Sequence, residues 1–146
     1  MENRIQIDQL EPGAFQAMFA LEKYLLKSEL SRSHLELIKL RASQINGCAF
    51  CIDMHAKSAL KNGEQPEKLL LLDAWRDTDL YTDEERTLLE VTEAVTLIQR
   101  EGLPSGLYQR ALTIFGGHYL SQIIMAVVTI NGWNRIAIST HKPLTV

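Results

Sequence analysis

Residues 31–45 read "SRSHLELIKLRASQI", and the apolar residues Leu35, Ile38, Ala42 and Ile45 return every three or four positions. That is the period of one face of an α-helix, not of a strand. Ser33 offers an N-cap oxygen with Glu36 three residues later, the spacing of a capping box. A second start follows the same logic in residues 82–102, "TDEERTLLEVTEAVTLIQREG". Thr82 and Glu85 have capping-box spacing, Leu88, Val91, Val95 and Ile98 form the apolar stripe, and Gly102 ends it. Pro66 and Pro104 suit first-turn positions of further helices, and Gly63 and Gly116 suit C-terminal stops. The pattern predicts helices near 12–27, 33–46, 49–61, 66–74, 82–100, 104–115 and 118–130, with a short last one near 133–140. Strand signals are weak, and there is no internal repeat or linker rich in Pro, Gly and Ser. The expected fold is all-α, a compact bundle of about seven to eight helices forming one domain over residues 1–146.

Composition narrows the function. Hydrophobic residues make up 46% and charged residues 23% of the 146 positions, the proportions of an ordinary globular protein. Fifteen basic residues against eighteen acidic ones leave a net charge of −3. A nucleic-acid partner is not expected, because phosphate binding needs clustered positive charge and none is visible. The beginning, "MENRIQIDQLEPGAF", has neither the apolar core nor the cleavage site of a secretory signal, so a cytoplasmic location is expected. The apolar stretch Ile123 to Ile130 is far shorter than the ~20 residues a bilayer-spanning helix needs, and no membrane association is expected.

The chemistry concentrates in residues 45–55, "INGCAFCIDMH", where two cysteines and a histidine follow each other closely. In a reducing compartment such a pair is a poor structural staple, which leaves reactive thiols or metal ligands as the leading readings. Asn46 and Gly47 should break the preceding helix and put Cys48 at or just before the start of the next. Unpaired backbone N–H groups and the helix dipole there favour a thiolate. A free thiol with a pKa near ~8.5 is only about 3% ionised at neutral pH, and a helix N-terminus raises that fraction.

Cys48 and Cys51 are one turn apart, with Cβ atoms roughly 5–6 Å apart in ideal helical geometry against about 3.5–4.5 Å in a disulfide. A local adjustment would let the bond form and break reversibly. His55 lies one turn beyond Cys51 on the same face and can take or return a proton. Glu36 lies on a helix that must turn back at Asn46 and Gly47, so its carboxylate could orient that imidazole. The alternative for Glu36 is a solvated capping residue. Other readings of the motif are a zinc site of Cys48, Cys51 and His55 with His34 or Glu36 as fourth ligand, or plain packing of two small buried cysteines. His118 and His141 stand alone and read as surface or capping residues. Trp75 and Trp133 read as core or interface anchors, and the run from Leu69 to Trp75 as apolar enough for a subunit contact.

Together the four residues spell E-x11-C-x2-C-x3-H, which resembles the active-site signature of the alkylhydroperoxidase D family within the carboxymuconolactone decarboxylase superfamily. The similarity runs outward through "KLRASQINGCAFCIDMHAKSALKNG", "TDEERTLLEVTEAVT" and "NGWNRIAI", from about Leu35 to Ile138. The resemblance implies an all-helical fold, thiol-dependent reduction of a small hydroperoxide, and a dithiol or disulfide reductase as electron donor. It further implies no cofactor and a homo-oligomer, commonly a trimer or hexamer. By that resemblance Cys51 matches the peroxide-attacking thiol and Cys48 the more accessible resolving thiol, while Glu36 and His55 match the proton relay. One departure stands out. The founding peroxidases carry a histidine immediately before the second cysteine, and this chain has Phe50 there.

Overall fold

The computed structural model describes residues 1–145, and they form helices and connecting turns with no strand among them. The helices are α1 (Ile7–Leu10), α2 (Pro12–Lys27), α3 (Arg32–Asn46), α4 (Ala49–Lys61), α5 (Pro66–Leu70), α6 (Asp83–Thr96), α7 (Ile98–Glu101) and α8 (Ser105–Ser139). A 3-10 segment, Leu72–Asp77, joins α5 to α6. The all-α expectation holds.

The core lies where α3, α6 and α8 pack on one another, with α4 against α3 and α2 against α8. Ile38 from α3, Leu88 and Val91 from α6, and Ile123, Val127 and Ile130 from α8 are all fully buried. Their helical spacing puts each set on one face, and burying those faces supplies the main drive for assembly. By length and composition alone α8 could cross a bilayer. Ile123, Val127 and Ile130 of this helix lie in the core.

Several boundaries differ from those the sequence predicts, each for a local reason. The capping box at Thr82 and Glu85 forms as expected. At α3 the cap is Ser31, whose hydroxyl accepts the His34 N–H at 3.1 Å. Ser33 instead donates to Glu64 Oε2 at 3.0 Å, so the Ser33–Glu36 capping box is absent and Glu36 points inward, 9% exposed. The predicted helix 82–100 is interrupted at Leu97, and the predicted helix 66–74 passes into the 3-10 segment after Leu70. Within the run from Leu69 to Trp75, Leu72 and Trp75 enter the core while Leu70 remains 80% exposed.

Gly116 interrupts α8 with φ 77° and ψ 166°, so the helix is two rods, 105–115 and 117–139. The second rod continues through 133–139, where the sequence suggested a separate short helix. Trp133 and Asn134 keep it going by packing sideways: Trp133 Nε1 donates to Glu22 Oε1 of α2 at 3.0 Å, and Asn134 is wholly buried against α3.

The Gly116 backbone lies in a region that only glycine occupies readily, although a Cβ there would meet no atom within 4 Å. Gly116→Ala is therefore expected to cost about 1–3 kcal/mol through backbone conformation alone. Thermal unfolding should show it as a lower Tm, and an unchanged Tm would mean the break is not imposed by residue 116.

Candidate functional site

The site is built on the corner between α3 and α4. Asn46 ends α3, and Gly47, at φ 72° and ψ 35°, takes the left-handed conformation that closes the helix and reverses the chain. The reversal sets an antiparallel register in which residues equidistant from Gly47 face each other. Glu36 and Ser58, eleven residues to either side, are such a pair, and Ser58 Oγ donates to Glu36 Oε1 at 2.6 Å. His55, one turn nearer the corner on α4, brings Nδ1 to 3.4 Å from Glu36 Oε2. That oxygen is buried and has no other partner.

Cys48 is the N-cap of α4, with an extended backbone at φ −88° and ψ 94°, and its Sγ accepts the Cys51 N–H at 3.3 Å. Leaving the helix at this residue is the adjustment that lets the pair close. The two cysteines are disulfide-bonded with a Cα–Cα separation of 5.3 Å. Both are buried, Cys48 at 1% and Cys51 at 2% exposed, so the expectation of a more accessible Cys48 fails in this oxidised form. The reason is Ala137 of α8, which joins the two cysteines in one apolar cluster, with the half-buried Phe50 packed against it.

Three features escape the sequence motif. The first is Ser58, although its position three residues after His55 puts it on the same face of α4. The second is a polar ladder behind the corner. Asn46 Nδ2 donates to Asn131 Oδ1 at 3.0 Å and to Asn134 Oδ1 at 2.9 Å, and Asn134 Nδ2 donates to Ser43 Oγ at 2.9 Å. The backbone carbonyl of Ser43 accepts the Cys48 N–H at 3.0 Å, so the ladder anchors the residue that carries the first sulfur. The third is Lys39, buried on α3 and paired with Glu22 at 2.7 Å.

These partners set the charge of Glu36. Burial alone would push its carboxyl up. Contacts from His55 and Ser58, with the positive charges of His55 and Lys39, outweigh burial and hold it below its ordinary value. The remaining candidates lie elsewhere. His34 Nδ1 is 2.7 Å from the Tyr119 hydroxyl and its Nε2 is 3.4 Å from Glu84, and burial pushes its pKa down. It is therefore not presented to the cysteines as a fourth ligand. With the sulfurs bonded to each other, no group of three His, Cys, Asp or Glu side chains among the described residues is arranged to hold a metal ion. His118 is exposed. Nδ1 of His141, at a positive φ of 49°, is buried without a partner.

Sequence and structure comparisons converge on one group of proteins. The sequence profile of the Carboxymuconolactone decarboxylase family matches residues 12–94. The uncharacterized protein YdfG of Bacillus subtilis is 39% identical over 139 residues, spanning 95% of each chain. The crystal structure of a protein of unknown function from Agrobacterium tumefaciens, described there as a candidate antioxidant defence protein AhpD, superposes with a TM-score of 0.96. It is 39% identical and 99% of each chain is covered. A peroxidase-related protein from Silicibacter sp. TM1040 shares the fold at 21% identity and a TM-score of 0.81, over 90% of this chain and 70% of its own.

The depressed Glu36 carboxyl makes stability depend on pH. A group with a lower pKa folded than unfolded stabilises the fold above its unfolded pKa, and that contribution disappears as pH falls through the folded value. Acidification below about pH 4.3, the ordinary glutamate value, should therefore remove stability faster from the wild type than from Glu36→Gln. Chemical denaturation of the two proteins at several acidic pH values measures the difference. Parallel pH profiles would mean that Glu36 is not held ionised by its neighbours.

Proposed function

The chain belongs to the carboxymuconolactone decarboxylase family as an alkylhydroperoxidase D-like member, and from that premise we propose that it is a thiol-dependent alkyl hydroperoxide reductase with an antioxidant role. The observation that carries the reading is the Cys48–Cys51 disulfide at the start of α4, on the helix that brings His55 to Glu36. A redox pair next to a coupled imidazole and carboxylate suits chemistry that ionises a thiol and returns a proton.

In this mechanism the Cys51 thiolate attacks the peroxide oxygen remote from the alkyl group, and the O–O bond breaks. The alkoxide leaves as an alcohol after taking a proton, and Cys51 becomes a sulfenic acid. Cys48 then attacks the Cys51 sulfur, releasing water and forming the disulfide. A dithiol donor restores both thiols by two successive exchanges and becomes a disulfide itself. His55 takes the thiol proton and passes it on, and Glu36 orients the ring and stabilises its charged form. No cofactor enters the cycle.

A second reading has its own observation. Phe50 stands where the founding peroxidases have a histidine, and it packs against the buried cysteine pair. An apolar cover of that kind suits thiol–disulfide exchange with a docked protein dithiol, with peroxide reduction only modest. The proposal also includes a homo-oligomer, trimer or hexamer. Leu70 and Leu71 near the 3-10 segment and Val128 and Ile138 on α8 are exposed apolar side chains that such contacts would bury.

The decisive assay follows consumption of tert-butyl hydroperoxide with dithiothreitol as donor. Cys51→Ser should abolish turnover, whereas Cys48→Ser should leave Cys51 accumulating as sulfenic acid or higher oxides, visible by mass. Glu36→Gln and His55→Gln should each slow the reaction by roughly 10–10⁴-fold near neutral pH, the loss shrinking as pH rises and the thiol ionises unaided. Sulfenic acid on Cys48 would reverse the assignment. Wild-type turnover without Cys51 would remove that residue from the chemistry, peroxide treatment that leaves the mass unchanged and both thiols alkylatable would end the peroxidase reading, and slow turnover with fast disulfide exchange would favour the second one. For the assembly, sedimentation equilibrium should give a multiple of the 16.5 kDa chain mass. A single species at the chain mass well above micromolar concentration would remove the oligomer.

A further inference from the structure

The relay residues lie deep, yet a thiol that ionises must deliver its proton to solvent. Both sulfurs are shut in, Cys48 at 1% and Cys51 at 2% exposed, under Ala137 and Phe50. On the side of Glu36 opposite His55's helix start, α3 and the end of α4 part to leave an open cleft of about 190 Å³. Arg32, Ser33 and Glu36 line it from α3, Ala59 from α4, and Asn62 and Glu64 from the turn that follows. A water needs on the order of 10–15 Å³ of such space and two or more polar partners, so this cleft has the size and lining for several.

We propose that this cleft is the proton port of the site, through which Glu36 exchanges protons with solvent and with small carboxylate bases, independently of the path by which peroxide or dithiol reaches the sulfurs. The inference rests on the relay reading above. The proton moves from the thiol to His55 and from His55 Nδ1 to Glu36 Oε2; because that oxygen is buried, the carboxyl must turn to bring the proton to water in the cleft, and the reverse path supplies the proton that the leaving alkoxide takes.

The charges around the cleft fit this use. Facing Glu36 are His55 and Ser58 from α4 and Lys39 from α3, which together hold its carboxyl down so that it gives its proton up readily. Glu64 is already occupied, accepting from Ser33 Oγ and from the Gln65 N–H. Arg32 is exposed and makes no side-chain hydrogen bond or ion pair with the described residues. A free guanidinium beside the opening attracts an anionic base from solution.

Chemical rescue tests the port. Glu36→Ala opens a void beside His55 and Ser58 that communicates with the cleft. Formate or acetate should then restore thiol alkylation by iodoacetamide and turnover of tert-butyl hydroperoxide, by roughly ten-fold or more over the unrescued variant. A bulky base of similar pKa such as benzoate should do so far less. Ser33→Phe or Ser33→Trp, placed at the exposed rim, should cut the rescue at least several-fold, while Ser33→Ala should not. Absence of rescue, or rescue unaffected by both rim variants, overturns the port and leaves the relay standing. Wild-type rates in Glu36→Ala without any added base would instead overturn the relay reading on which the port depends.

Discussion

The left-handed turn at Gly47 is the constraint on which the site depends. A residue with a Cβ resists φ 72°, and without that conformation α3 would not stop and reverse at this point. The reversal sets which residues of α3 and α4 meet. Shifting the corner by one residue would rotate Glu36 by about 100° relative to His55 and Ser58, dissolving the contacts between the carboxylate, the imidazole and the hydroxyl. The same turn leaves Cys48 outside the helix, where its extended backbone lets the sulfur swing toward Cys51. One conformational choice thus places both the carboxylate–imidazole pair and the disulfide.

Such a corner has to be held, because it carries a buried ionised carboxylate on one flank and a pair of sulfurs on the other. The asparagine ladder does so from α8. Asn134, without solvent contact, satisfies both ends of its amide through Asn46 and Ser43, and a buried amide left half-paired would cost roughly 1–3 kcal/mol. The directionality of these bonds specifies position in a way that apolar packing at the same place could not. On the far side of α3, Lys39 is secured by Glu22, which also accepts from Trp133. Helices α2 and α8 therefore both bear on the surroundings of Glu36, and α8 also covers the cysteines through Ala137.

Burial of the sulfurs gives the site its character. With Ala137 and Phe50 against them, the cysteines sit in apolar surroundings that disfavour a thiolate, while the helix start favours one. Phe50 packs against this pair from its own turn of α4. A histidine there would add a titrating group. Phenylalanine adds only cover.

The helical class, several boundaries and the placement of the cysteines and His55 on one helix were legible in the sequence because they rest on short-range rules: the three- and four-residue return of apolar side chains, the Thr82–Glu85 capping box, the glycines at 47 and 116, and the one-turn spacings from Cys48 to His55. The spacing E-x11-C-x2-C-x3-H likewise carried the resemblance to the family. Tertiary structure alone decided the rest. Ser33 and Glu36 had capping-box spacing, yet Ser31 took the cap, because packing of α3 against α4 offered Glu36 the stronger partners His55 and Ser58. Likewise the end of α8 runs on as one rod, since Trp133 and Asn134 find partners more than 90 residues away in sequence that no local pattern could announce. Burial of both sulfurs follows from Ala137 arriving over them. Local spacing specifies which side chains share a face, but which face meets which is settled only when distant helices compete for the same buried surface.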